Sequence, residues 1–169
     1  GETGNITNLF KLNNNLYVHT EEALWQLPRN YQERVTDQIT SFIGTGSYFE
    51  IPPQKILDSD SGFSAGCQHK WGSIKTPNGY FFVSANQNKF YQFTGELKPI
   101  SSIGMKSWFD NNTKSLAEAN YYRNNKRDYP FKDNPSNNIG TGFITTYDSL
   151  KERVILTKRD FNLSLPDKD

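Results

Sequence analysis

Short runs rich in aromatic and other apolar residues, separated by polar and turn-forming residues, recur along the chain. Six of these runs form three pairs: residues 16–20 and 23–27, 79–84 and 90–93, and 142–147 and 153–158. Extended runs joined by short polar connections are typical of β-hairpins. The pattern therefore predicts three hairpins and a mainly β fold.

The hairpins recur at a nearly constant distance along the chain. Tyr17, Phe81 and Thr145 hold equivalent places and lie 64 residues apart. A fixed period indicates a propeller-like array, although a propeller blade usually has roughly 40–50 residues. Three ordinary hairpins in one sheet system fit the same pattern. Pro77-Asn78-Gly79 is a tight-turn signal that extends the second hairpin into a meander over residues 69–93.

One helix is predicted after the second hairpin. Ser101 or Ser102 can cap it, and an apolar stripe at helical spacing runs to about Asn111. The stripe consists of Ile103, Met105, Trp108 and Phe109. The other predicted elements are a strand at residues 47–51, a short helix at residues 116–119 and a long polar loop or insertion at residues 112–140. The fold class is mainly β with one or two short helices, built as a partial propeller or a sandwich-like subdomain.

Composition agrees with a folded β domain. The chain has 169 residues, which is the size of one domain. Aromatic residues make up 14% and favour strands, while 18 Asn residues favour turns. We expect residues 1–169 to form a single β-rich domain that belongs to a larger chain.

Charge argues against nucleic acid as the main partner. The formal net charge is only +1, whereas phosphate binding usually needs a clear basic excess. The one dense basic stretch, residues 123–132, reads as a solvated loop. No apolar run approaches the roughly 18 residues that a membrane helix needs, so we expect no membrane insertion.

Few residues combine into a pattern that could carry chemistry. Cys67 and His69 lie two apart and are the one local candidate for a nucleophile with a base, or for half of a metal site. No second pair accompanies them, because His19 lies far away in sequence. We therefore predict structural roles for both histidines, and no catalytic, cofactor-binding or metal-binding residues.

Carboxylates and aromatic residues leave two alternatives open. Asp58, Asp60 and Asp110 could serve a hydrolase, with Trp71 and Tyr80 stacking on a sugar. Asp58 and Asp60, which alternate with serines, look more like turn residues. Aromatics on both faces of residues 79–84 indicate either a strand packed on two sides or an exposed aromatic interface.

Several segments resemble virion structural proteins of crAss-like tailed bacteriophages, of the tail-associated muzzle or stabilisation type. The segments are residues 16–25, 65–76, 78–83, 104–109, 145–148 and 155–158. They are strand and turn motifs without a catalytic signature, and residues 114–127 fit the family least.

The resemblance implies a propeller-like or β-rich part of a much larger chain, located in the virion after assembly in the host cytoplasm. It implies other virion proteins as partners, contacts between proteins as the mode of action, and neither a cofactor nor an enzymatic activity. The alternatives are a carbohydrate- or receptor-binding module with an aromatic platform for a host-surface glycan, and the hydrolase.

Overall fold

The computed structural model describes residues 4–28, 31–36, 39–43, 51–113 and 142–159. These residues form twelve strands and one α-helix, α1, at Lys106–Asn112. The strands are β1 (Ile6–Leu12), β2 (Asn15–Thr20), β3 (Leu24–Gln26), β4 (Tyr31–Thr36), β5 (Ile39–Ile43), β6 (Gln54–Ile56), β7 (Ser73–Thr76), β8 (Gly79–Ser84), β9 (Lys89–Phe93), β10 (Leu97–Pro99), β11 (Gly142–Asp148) and β12 (Arg153–Arg159). The mainly β prediction is confirmed.

Two four-stranded antiparallel meanders form the centre of the fold. The first sheet has the order β1-β2-β3-β6. Along the chain, the separate β4–β5 hairpin is inserted between β3 and β6. The second sheet has the order β7-β8-β9-β10 without interruption. Strands β11 and β12 form a separate hairpin, called the C-terminal hairpin below. The described strands form no closed barrel, and the propeller stays a prediction.

All three predicted hairpins are present, and their spacing is visible in the strand bounds. Strands β2 and β8 differ by 64 residues at both ends, and β9 and β12 begin 64 residues apart. The predicted meander is also confirmed as β7-β8-β9, to which β10 adds a fourth strand. Its predicted start is wrong in one detail: Trp71 lies in a 3-10 turn, Lys70–Gly72, ahead of β7.

The sequence pattern does not predict β1. Asn13 and Asn14 look like the beginning of β2, whereas they form the turn between β1 and β2. Asn13 and Asn14 have φ angles of 46° and 66°, and they join β1 to β2 through the Leu12–Asn15 pair. A two-residue hairpin turn requires this left-handed backbone, which Asn tolerates better than most residues. The asparagines therefore close a hairpin whose first strand is β1.

The predicted helix exists but begins later than its capping signal suggests. It starts after Met105, and Ser101 belongs to a preceding 3-10 turn, Ile100–Ser102. The Ser101 hydroxyl accepts a hydrogen bond from the backbone N–H of Phe90 at 3.0 Å instead of capping the helix. Of the predicted apolar stripe, Phe109 is buried, whereas Ile103 and Met105 are exposed.

Three predicted elements fall wholly or largely outside the described residues. They are the strand at 47–51, of which only Ile51 is described, the short helix at 116–119, and most of the loop at 112–140. Asn112, the first residue of that loop, is the last residue of α1.

Among the described residues, the core consists of two clusters on opposite faces of the second sheet. The first cluster joins this sheet to the first sheet, and the second joins it to α1 and the C-terminal hairpin. Every residue of β8 is buried as a result. The two-sided packing predicted as one alternative for residues 79–84 is confirmed, and the three layers follow one another in chain order.

Candidate functional site

Aromatic rings join the two four-stranded sheets. Phe10 of β1 stacks on Tyr80 of β8, with ring centroids 3.8 Å apart and an interplanar angle of 18°. Tyr17 of β2 meets Phe93 of β9 edge to face at 5.0 Å. Aromatic pairs contribute about 0.5–1.5 kcal/mol each beyond the area they bury. The inter-sheet contact is therefore a specific interface as well as an apolar one.

His19 is the polar centre of this interface. Its ring is fully buried, and it packs edge to face on Phe82 at 4.3 Å. Nε2 lies 3.3 Å from the carbonyl oxygen of Ala65, and Nδ1 lies 3.0 Å from the hydroxyl of Tyr80. A carbonyl oxygen only accepts hydrogen bonds, so Nε2 carries the proton. Nδ1 of the neutral ring then accepts a hydrogen bond from the Tyr80 hydroxyl.

Burial fixes the neutral form of this histidine. It lowers the pKa of His19 from 6.5 to about 3, although the hydrogen bond to Ala65 raises it in part. The ring is consequently uncharged at neutral pH. Both ring nitrogens have partners, so His19 connects the two sheets.

Asp58 forms a second polar cluster, where the loop after β6 meets the second sheet. Its carboxylate accepts hydrogen bonds from the backbone N–H of Asp60 at 2.8 Å and of Ser61 at 3.3 Å. It also accepts from the Tyr91 hydroxyl at 2.9 Å and from the Lys89 ammonium at 3.2 Å. The first pair of bonds shapes the loop, and the second pair attaches the loop to β9.

The pKa of Asp58 suits a residue that anchors the loop better than one that transfers a proton. Burial raises the pKa of Asp58, but the hydrogen bonds that the carboxylate accepts outweigh burial and bring the pKa below 3.8. A general acid in a glycosidase needs a raised pKa instead. Asp60 is exposed at the same loop and Asp110 is half-buried on α1. The turn role inferred from the sequence thus describes Asp58 well.

Cys67 and His69 are both buried, and each serves a different contact. The Cys67 thiol donates a hydrogen bond to the backbone carbonyl of His69 at 3.1 Å, and the Cys67 N–H donates to Thr20 at 3.0 Å. The His69 ring lies 6.2 Å from the ring of Phe143 in the C-terminal hairpin. The two residues therefore tie together the layers on either side of them.

Gly66, beside Cys67, shows how tightly this connecting segment crosses the first sheet. A Cβ atom on Gly66 would lie 2.0 Å from the carbonyl oxygen of Glu21. The Gln68 amide donates to the same oxygen, and its own oxygen accepts from the Ala85 N–H at 2.8 Å. Only glycine allows this approach of two backbones.

A groove of about 280 Å³ lies between the second sheet and the C-terminal hairpin. It is lined by Thr76, Asn78, Phe81, Phe90, Ile100, Tyr147, Glu152 and Val154. None of the three aspartates considered for a hydrolase borders it. Tyr80, named as a sugar platform, is 1% exposed because it stacks on Phe10, so that assignment is wrong; Trp71 is 48% exposed.

The described part of the chain contains no cluster of three or more potential metal ligands. Within it, no helix is long and apolar enough to cross a membrane. The basic stretch at residues 123–132 lies outside the described residues.

The sequence pattern does not predict the two polar contacts that connect the parts of the fold, His19–Tyr80 and Asp58–Tyr91. His19 and Tyr80 are 61 positions apart, and Asp58 and Tyr91 are 33 apart. One signal was accessible: His19 and Tyr17 share one face of a strand, and a polar residue among aromatics on a buried face needs a partner. The identity of that partner depends on how the sheets pack.

Comparison with known proteins gives a matching family and a similar curated protein. The model of the family described as Crassvirus muzzle protein matches residues 1–157. The muzzle protein of Bacteroides phage crAss001 is 22% identical over 135 residues, which are 79% of this chain and 10% of that protein. The chain thus spans about a tenth of the length of the curated relative that it matches.

Proposed function

The chain belongs to the Crassvirus muzzle protein family, and on that premise we propose that it is a structural assembly domain of a phage virion. It is associated with the tail and acts through contacts with other virion proteins. The match of the family model to residues 1–157 carries this proposal. The domain is located in the virion after assembly in the host cytoplasm.

The use of the polar groups supports an assembly role. His19 and Asp58 have the side-chain chemistry of catalytic residues, yet each one connects two parts of the fold. The Cys67 thiol is buried and donates to the backbone carbonyl of His69, two residues away. Residues that act as catalysts usually border a cleft where substrate can reach them. We infer that the domain is not an enzyme and that its polar interior provides a unique packing of the layers.

The size of the relative supports the proposal that these residues belong to a longer polypeptide. Residues 1–169 would form one β-rich domain of it, since the described layers share two continuous core clusters. The glycan-binding alternative relied on Trp71 and Tyr80 as an aromatic platform, and Tyr80 is buried between the sheets. No observation favours it over assembly.

Mass spectrometry of purified virions tests the proposed function. We expect peptides from the first and second sheets in density-purified particles, in a constant ratio to the major capsid protein across gradient fractions. A phage replication enzyme, abundant in infected cells, is the control and should be lost during purification. If the peptides of this chain are lost with it, the domain is not a virion component and the proposal fails.

A further inference from the structure

The first sheet has an outer face that is largely apolar. Strand register places Leu9, Val18, Trp25 and Lys55 in one row across β1, β2, β3 and β6. Leu9 is 58% exposed, and the neighbouring Leu16 on the same face is 43% exposed. The Lys55 ammonium lies 5.0 Å from the centre of the Trp25 ring and marks the polar border of the row.

The 64-residue spacing identifies the corresponding face of the second sheet. Leu16 and Val18 of β2 correspond to Tyr80 and Phe82 of β8. Tyr80 and Phe82 form the face on which the first sheet packs. The outer face of the first sheet thus corresponds to the face of the second sheet that the first sheet covers.

The opposite faces obey the same rule. Tyr17 and His19 of the first sheet pack on the second sheet, and their equivalents, Phe81 and Val83, face the C-terminal hairpin. The two four-stranded sheets therefore use corresponding positions toward each neighbouring layer, whereas in the C-terminal hairpin Phe143 and Thr145, which match the Phe81 set, face back toward the second sheet. Among the described residues, the second sheet packs on one face of the first sheet, and no layer packs on its outer face.

We propose that the outer face of the first sheet, from Leu9 to Lys55, binds an apolar face of another antiparallel β-sheet of the same muzzle polypeptide. The inference rests on the proposed virion role. The layers already present are successive parts of one chain, and the curated relative is about ten times longer than its match to this chain. An apolar sheet face is favoured as the partner, because the outer face offers mainly aliphatic and aromatic area, with the cations of Lys11 and Lys55 beside it.

A photo-cross-linking experiment in intact virions tests this surface. Leu9→p-benzoylphenylalanine places the reactive group on the outer face, and Phe10→p-benzoylphenylalanine places it on the inner face of the same strand. We expect irradiation to cross-link most of the Leu9 variant. The cross-linked partner peptide should come from the same muzzle polypeptide, outside these 169 residues. The Phe10 control should cross-link to the second sheet. Lys11→p-benzoylphenylalanine, also on the outer face, replaces the Leu9 variant if that one does not assemble.

Each other result overturns the inference. A partner peptide within residues 1–169 would mean that the face is covered by these 169 residues themselves, in the same or a second copy. A peptide of a different virion protein would indicate an external partner. No cross-link, beside a positive Phe10 control, would indicate a face open to solvent. These failures differ from failure of the proposed function, in which the polypeptide is missing from the virions themselves.

Discussion

Phe82→Ala is expected to lower the free energy of unfolding by about 3–5 kcal/mol, the usual range for deleting a buried phenylalanine side chain. Phe82 is fully buried at the centre of β8. Its ring packs on His19 at 4.3 Å and stacks on Tyr91 at 5.3 Å. Both sheets contribute to its surroundings, so the cavity cannot close by the movement of a single strand.

Equilibrium denaturation of the purified chain, followed by tryptophan fluorescence and circular dichroism, measures this loss. Phe63→Ala is the matched control, because the Phe63 ring is 66% exposed and should change stability by less than about 0.5 kcal/mol. Equal effects of the two substitutions would mean that the sheets do not pack on each other as described.

Acidification is expected to destabilise the fold through His19. Its pKa is about 3 in the folded state and near 6.5 in the unfolded chain. Below pH 6.5 the unfolded state therefore binds a proton that the folded state does not, and stability falls by about 1.4 kcal/mol per pH unit. The full loss reaches about 4–5 kcal/mol as the pH falls to 3.

Between pH 6.5 and 4.5 the effect of His19 on stability can be measured apart from that of Asp58. The lowered pKa of Asp58 also reduces stability in acid, but only as the pH approaches and passes below the ordinary value of 3.8. In this window we expect a loss of about 2–3 kcal/mol in the native chain and little slope in His19→Gln. Parallel pH profiles of the two proteins would show that His19 is not buried in its neutral form.

Local sequence signals were sufficient for the hairpins. Aromatic and β-branched residues favour strands, and the apolar run from Gly79 to Ser84 matches the bounds of β8. Asn13 and Asn14 misled because asparagine signals a turn without showing which side of it is extended. The helix start was misplaced for a different reason: Ser101 found a tertiary partner in the backbone of Phe90, and this bond replaced the local cap.

The polar connectors depend on the packing of distant strands. The sequence shows that His19 shares a strand face with Tyr17, but the distance to Tyr80 is decided by the stacking of the two sheets. Asp58 was placed in a turn correctly, whereas its bonds to Lys89 and Tyr91 require the loop to lie against β9. Long-range partners of this kind are properties of the tertiary fold, and a single sequence does not contain them.

A cryo-EM reconstruction of the intact virion would test the central claim, that this domain serves assembly through stacked sheets, most directly. We expect both four-stranded sheets in the tail, packed face to face through Phe10 and Tyr80, with further protein density against the domain. A map that places the domain outside the tail, or one in which no other protein density touches it, would contradict the assembly role.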